Sequence, residues 1–344
     1  MGATEFFARS ATGGGRRCLY LQQTLLQAAN APDGSPAGMA ACSGLGEEML
    51  ADVHTINGPL LQALARAGGF GPWQRCQLFV GAEAARGARS ILHFDQYDNL
   101  FLQLAGTKRF LLFEPGASGD VYPYPVHHPL DTRAQVDLRQ PDAAAFPRAA
   151  RRKPIEVVLR PGQLLFLPAY WWHEVITEDA PPGELTVSVN FWFAATAKLL
   201  APSLPLPPPL RVEFARQLEY FVSDSLYDRA RLVPHFMRAL GAQLEAIEAA
   251  GREDLLRGGG EEREPWQLVA GVAAADGSGA PWGALEAARP AEVARDDWEG
   301  IFEFVAWKMV LMVGRQQLLP FVRDLCDPGR FAQLSLKGVG CGRA

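Results

Sequence analysis

His93 and Asp95 stand two residues apart, and a third candidate ligand, His173, follows Tyr170, Trp171 and Trp172 further along the chain. Two imidazoles and one carboxylate make the facial triad of non-haem Fe(II) centres, which leaves metal positions open for a cosubstrate and dioxygen. A closed zinc site would more often recruit cysteine, and no cysteine is near these residues in sequence. A His-x-Asp pair by itself says little, because surface pairs of this kind arise by chance. Lys108 lies thirteen residues beyond Asp95, at the head of an apolar run. An ammonium lining a barrel is costly to bury unless an anion meets it. A dicarboxylate cosubstrate would supply that anion, through a charge-assisted hydrogen bond worth roughly 1.5–3 kcal/mol. Standing alone, Lys108 reads equally well as a strand-end lysine whose stem is buried and whose head is wet.

These side chains need strands to carry them. From Cys76 to Phe193 the texture is β, with expected strands at 77–80, 100–105, 108–113, 156–159, 163–167 and 185–193. Gly106–Thr107 gives hairpin spacing between two of them, and Pro161–Gly162 supplies another turn. His93-x-Asp95 is expected on a strand, so that both polar side chains share a face. Thr186, Ser188, Asn190 and Trp192 alternate with Val187, Val189, Phe191 and Phe193, as in a strand with one oily face and one face on a wet pocket. Several short strands without a βαβ rhythm suggest a sandwich or jelly roll.

Around this β region, residues 48–66 look helical and 31–47 read as a surface insertion. Residues 201–210, rich in proline, read as a stiff extended linker between a domain at 1–200 and a helical region at 211–344. A long apolar helix is expected at 298–322, its oily face covered by the β domain or by a second chain. His54 and His235 fall on expected helices without partners and read as structural, while His127 and His128 read as packing or substrate-loop residues.

The 344 residues carry 33 basic and 38 acidic side chains, a net charge of −5 that argues against a nucleic-acid groove. At 48% hydrophobic the chain can build a sizeable core. Five scattered cysteines without a CxxC pair suggest neither a zinc knuckle nor a disulfide scaffold, and reduced thiols fit an intracellular, cytoplasmic or nuclear setting. The most apolar window carries Lys308, and no membrane span is expected.

Ordered stretches carry a resemblance: His93-Phe94-Asp95, 102–109, 121–129, 135–137, 169–173 and 189–192, with 19–24 upstream. Together they resemble the JmjC dioxygenases, and within them the asparaginyl hydroxylases, over about residues 18–195. The resemblance implies a double-stranded β-helix (jelly roll, cupin/JmjC), mainly β, followed by a helical C-terminal region. It implies an Fe(II)- and 2-oxoglutarate-dependent oxygenase that uses dioxygen to hydroxylate a side chain of a protein or peptide substrate. His93, Asp95 and His173 would hold the iron. Lys108, helped by Tyr20 and by Ser90 in place of a threonine, would grip the far carboxylate of 2-oxoglutarate. Asn99 and Asn190 would lie near its metal-binding end, Trp192 would wall the pocket, and Gln22 would touch the substrate.

Two departures stand out. An Arg-Gln pair that holds the target amide in that family is Thr132-Arg133 here. Arginine has donors only, so the change would favour an acidic or differently placed target, unless the arginine, one position over, reproduces the family's contact. The N-terminal β portion of the family is also largely absent, since Tyr20 comes so early, which suggests a truncated, incomplete jelly roll. A homodimer through C-terminal helices is a further implication. The rival readings are a JmjC lysine demethylase and an inactive cupin-like binding protein. The intact ligand set with Lys108 speaks against the inactive form.

Overall fold

A computed structural model describes residues 20–30, 36–81, 87–178, 185–195, 203–227, 230–249 and 283–332, which fall into two compact units. The first comprises 1–114 with 153–201, and the second comprises 115–152 with 202–344. The segment 115–152, expected inside the first domain, thus groups with the C-terminal helices.

In the first unit the chain forms β1 (Tyr20–Asn30), β2 (Pro36–Ala41), α1 (Glu47–His54), α2 (Gly58–Ala67), β3 (Trp73–Gly81), β4 (Tyr97–Ala105), β5 (Lys108–Phe113), β6 (Ile155–Leu159), β7 (Leu164–Leu167), β8 (Trp172–Thr177) and β9 (Thr186–Ala194). One sheet runs in the order β2-β1-β3-β9-β4-β7 and a second runs β6-β5-β8, with antiparallel pairing throughout. Alternation along β4 and β9 splits the large sheet into two faces. Leu100, Val189, Phe191 and Phe193 pack under α1 and α2 with Val53 and Ala65. On the other face, Phe101 and Leu167 meet Phe110, Leu112 and Leu159 of the small sheet. The Phe101 and Phe110 rings touch edge to face at 4.9 Å. Burying each such ring contributes about 1.5–3 kcal/mol. The β4–β5 turn needs glycine at 106, where φ is +68° and a Cβ would come within 2.6 Å of the Thr186 hydroxyl. α2 starts where Asn57 accepts the Leu60 N–H at 2.9 Å.

Three expectations change here. Residues 36–41, expected within a surface insertion, are a strand paired to β1. Their Ala, Gly and Met side chains carry no alternation, so only backbone pairing makes the strand. β1 pairs in turn with β3, so the large sheet has two strands before β3 where the sequence had suggested little. Trp172–Thr177 is a strand that no alternation announced, because nearly every residue in it is buried on one face or the other.

The second unit holds α3 (Pro208–Ser225), α4 (Val233–Ala249), α5 (Gly283–Ala287), α6 (Arg295–Val313), α7 (Arg315–Leu325) and α8 (Pro328–Phe331). α3 begins inside the stretch expected to be an extended linker. Proline in the first turn has no N–H to lose and a pre-set φ, so Pro208 and Pro209 open the helix rather than prevent it. The single helix expected at 298–322 is two, divided at Gly314. Its φ of +78° and ψ of 153° leave the helical region, and Pro205 lies 3.2 Å from where a Cβ would stand. Much of the oily face of α6 packs within the helical unit. Trp298, Phe302, Val305 and Met309 pack with Val222, Phe236, Met237 and Val322 inside their own unit. Arg330 and Glu219, 5% and 0% exposed, form an ion pair at 2.5 Å. The second carboxylate oxygen of Glu219 accepts from the Val126 N–H at 2.9 Å, and Arg330 donates further to the carbonyls of Leu325 and Pro123.

Candidate metal centre and pocket

His93 and Asp95 lie just before β4 rather than on a strand, so period-two alternation does not bring them together. His93 instead forms an isolated antiparallel bridge with His173 of β8. The His93 N–H donates to the His173 carbonyl at 3.0 Å, and the His173 N–H donates back at 2.7 Å. This reciprocal pair sets the two imidazoles opposite each other, with ring centroids 4.1 Å apart. Asp95 is pinned by its carbonyl, which accepts the Tyr170 N–H at 2.8 Å. One ligand atom from each of the three side chains then lies within 4.8 Å of the others, a cluster that could hold a metal ion. No other such group of three occurs among the described residues.

The ring nitrogens are already assigned to roles. His93 Nδ1 sits 2.7 Å from the Ile91 carbonyl and His173 Nδ1 sits 3.0 Å from the Trp171 carbonyl. A carbonyl can only accept, so both Nδ1 atoms carry the proton and both Nε2 lone pairs are left for a metal. Each carbonyl belongs to the residue two positions upstream, so local chain geometry sets the tautomer. Burial and then the neighbouring His93 push the His173 pKa well below the usual histidine value, which keeps it neutral at pH 7. The His173 Nε2 lies 3.6 Å from the Asp95 carboxylate.

Lys108 opens β5 at 1% exposure. Its ammonium lies over the Phe79 and Phe101 rings, 5.4 and 5.1 Å from their centroids. Burial pushes its pKa down to about 7. On β5 and β8, Lys108 pairs with Thr177, and Leu112 pairs with His173. Lys108 and the partner position of His173 are therefore four residues apart on the same strand face, since side chains alternate. The ammonium is at one end of the face and the triad at the other. The Ser90 hydroxyl accepts the Val175 N–H at 2.9 Å, and its own proton can still be donated.

On the facing sheet, Asn99 of β4 and Asn190 of β9 are 2% and 4% exposed. The side-chain oxygens of both have no hydrogen-bond partner, and the same holds for the Thr186 hydroxyl and the Trp192 indole nitrogen. Turning either amide by 180° presents NH2 at the same place, which a bound carboxylate requires. Four orphaned polar atoms on two adjacent strands fit a polar ligand. With Lys108 at one end and the triad at the other, the donor set suits a dicarboxylate and a divalent metal.

The remaining expected residues divide. Gln22 is exposed on β1 and donates to Gln77 at 3.4 Å, so it faces the same column of polar residues. The side chain of Tyr20 lies outside the described residues. Thr132 and Arg133 belong to the second unit. Thr132 takes a φ of +70°, its N–H donating to Asp131 at 2.7 Å, and Asp131 in turn meets Arg216 at 2.5 Å. His128 accepts the Leu130 N–H and stacks on Tyr124, and His127 meets the Tyr220 ring edge-on. Sequence reasoning missed Phe79 and Phe101, which house Lys108. The alternation of β3 and β4 was the available signal.

Residues 39–198 match the family described as Cupin-like domain. The two antiparallel sheets and the C-terminal helices agree with that fold, mainly β with an α appendage. Among curated proteins, the chain is 35% identical over 108 residues to "Lysine-specific demethylase JMJ31" of Arabidopsis thaliana, covering 31% of this chain and 19% of that protein. It is 37% identical over 117 residues to "HSPB1-associated protein 1 homolog" of Danio rerio, covering 33% and 24%. With "Jumonji C domain-containing protein 5" of Drosophila melanogaster it shares 36% over 107 residues, covering 31% and 25%. The chain thus spans about a fifth to a quarter of the length of these relatives. Relatives named for the Jumonji C domain agree with the resemblance seen in the sequence. No described helix is long and apolar enough to cross a membrane.

Proposed function

We propose that this chain is an Fe(II)- and 2-oxoglutarate-dependent oxygenase that hydroxylates a side chain of a protein substrate. The observation that carries this reading is the His93–Asp95–His173 cluster, with both Nε2 lone pairs open and Lys108 buried four residues along the same face. His93, Asp95 and His173 hold the metal. Lys108 takes the far carboxylate of 2-oxoglutarate, with the Ser90 hydroxyl beside β8. Asn99 and Asn190 serve the near end and Trp192 forms the wall. When bound, iron and 2-oxoglutarate activate dioxygen, and oxidative decarboxylation leaves succinate and carbon dioxide.

The chain's own residues orient, neutralise and exclude water. Neutral His173 offers a lone pair rather than a repelling charge. Lys108 must be protonated to hold a carboxylate, so at pH values above about 7 cosubstrate binding draws a proton onto its amine. Phe79, Phe101 and Phe110 keep that ion pair dry, which strengthens it. A second reading, a lysine demethylase, is favoured by the name of the Arabidopsis relative and uses the same centre. The two differ only in the substrate carbon attacked, and the asparaginyl-hydroxylase likeness leads us to place hydroxylation first.

The test is anaerobic Fe(II) and 2-oxoglutarate binding by calorimetry, followed by succinate release on admitting air. We expect binding and slow uncoupled turnover, both lost in His93→Ala. Lys108→Ala keeps metal and loses cosubstrate. A folded protein that binds neither ligand would sink the oxygenase reading in favour of an inactive cupin-like scaffold.

A further inference from the structure

Three half-buried arginines in the β unit invite comparison. Arg89 is paired with Glu174, and Arg109 with Glu178 at 2.5 Å. Arg75, on β3, makes no ion pair or side-chain hydrogen bond with any described residue. Its guanidinium lies over the Trp192 ring, 5.5 Å from the centroid. On the other side of β9, Tyr97 stacks on Trp192 at 5.5 Å and 22° between planes. The strand order β3-β9-β4 and the pairing of Arg75 with Trp192 and Trp192 with Asn99 put the indole between them.

Register locates this group. Arg75, Gln77 and Phe79 alternate onto the inner face of β3, and Phe79 is the ring beneath Lys108. Arg75 is four residues from Phe79, at the end away from the lysine. The triad is likewise four residues from Lys108 on the small sheet, and Tyr97 follows Asp95 by two residues. Arg75, Trp192 and Tyr97 therefore share the triad's end of the pocket. The Trp192 N–H lies at the same end: it is a donor only, it is buried, and it has no acceptor. A cation–π contact over the ring face leaves the guanidinium's N–H donors available, and arginine's planar fork suits bidentate capture of a carboxylate.

We propose that Arg75 is a specificity-determining residue that receives a carboxylate of the protein substrate at the mouth of the pocket. The proposal rests on the oxygenase reading in taking that mouth as the entry for a protein side chain. Its substrate class is an acidic peptide, with aspartate or glutamate at or beside the target.

The test reads binding rather than turnover. The full chain, with Mn(II) and 2-oxoglutarate, is titrated into two labelled peptide pools of equal length. One carries aspartate and glutamate around a fixed central residue, and the other carries asparagine and glutamine. We expect the acidic pool to bind about tenfold tighter or more. Arg75→Gln erases that difference and leaves 2-oxoglutarate affinity within about twofold. Arg75→Glu turns the preference toward a lysine pool. Equal binding of both pools, binding of neither, or an acid preference that survives Arg75→Gln would overturn the proposal. Should Arg75→Gln not fold, Arg75→Lys decides: it keeps the charge without the planar fork, so a reduced preference supports the assignment and an unchanged one sinks it. Acid preference without any succinate release would fault the oxygenase reading alone. Normal succinate release without acid preference would fault Arg75 alone.

Discussion

Glu219 and Arg330 in the helical unit are about as buried as Lys108 in the β unit, yet the two regions treat charge differently. The Glu219 carboxylate meets Arg330 and the Val126 N–H, and Arg330 spends its other donors on two carbonyls. Lys108 sits among phenylalanine rings, and its pKa falls to about 7. On the facing sheet, Asn99, Asn190 and Trp192 keep polar atoms without partners. A saturated network fixes backbone, here the loop that includes Val126. The unpartnered atoms of Asn99, Asn190 and Trp192 reserve space for something that arrives later, and the protein bears the cost until it does.

Breaking each kind of network should therefore give opposite signs. The largest effect is expected from Glu219→Ala, which strands Arg330 without its counter-charge. Denaturant titration should show a loss of about 3–5 kcal/mol. Glu219→Leu combined with Arg330→Met should recover most of that loss, because removing both charges also removes both desolvation penalties.

Lys108→Met should do the reverse, raising stability at neutral pH while abolishing cosubstrate binding. The sign follows from linkage. Between about pH 7 and the ordinary lysine range, the unfolded chain holds a proton on Lys108 that the folded chain has released. Wild-type stability therefore rises with pH across that window, and the penalty is complete below pH 7. Urea titrations of wild type and Lys108→Met at pH 7 and pH 9.5 should show the gap between them closing by roughly 2–4 kcal/mol at the higher pH. A pH-independent gap would mean that Lys108 titrates normally.

A smaller effect sharpens the same point from the ligand side. Above pH 7, 2-oxoglutarate affinity should weaken by up to about tenfold per pH unit, with uptake of up to one proton. Calorimetry in buffers of different ionisation enthalpy reads this directly. Smallest of all, Asn57→Ala removes only the cap of α2, at the edge of the site's scaffold, and should cost about 1 kcal/mol.

What could be read before the structure follows from which patterns physics writes into a chain. β9 alternates, β4 and β5 are apolar runs on either side of Gly106–Thr107, and all three were visible; their inward residues include Asn99, Lys108, Asn190 and Trp192. β8 was hidden because burial on both faces erases alternation, although it carries His173. β2 was hidden because small side chains give no pattern. The ligand set was legible as residue types, but not the device that joins it. A two-residue bridge between His93 and His173 has no periodicity to detect. The break at Gly314 needed a backbone angle and the neighbouring Pro205, neither of which a hydrophobic stripe reveals. The housing of Arg75 beside Trp192 was equally out of reach, since it depends on register between β3 and β9.

The reciprocal bridge between His93 and His173 has one more consequence. The two residues are 80 positions apart in the chain, and a metal bonded to both would act as a reversible crosslink closing that loop. Loop closure removes freedom from the unfolded ensemble, and binding to the folded state alone adds stability in proportion to the logarithm of free metal. The stretch between them contains both β5 and the whole of 115–152, so the ion that would supply the chemistry would also serve as a clasp on nearly a quarter of the chain.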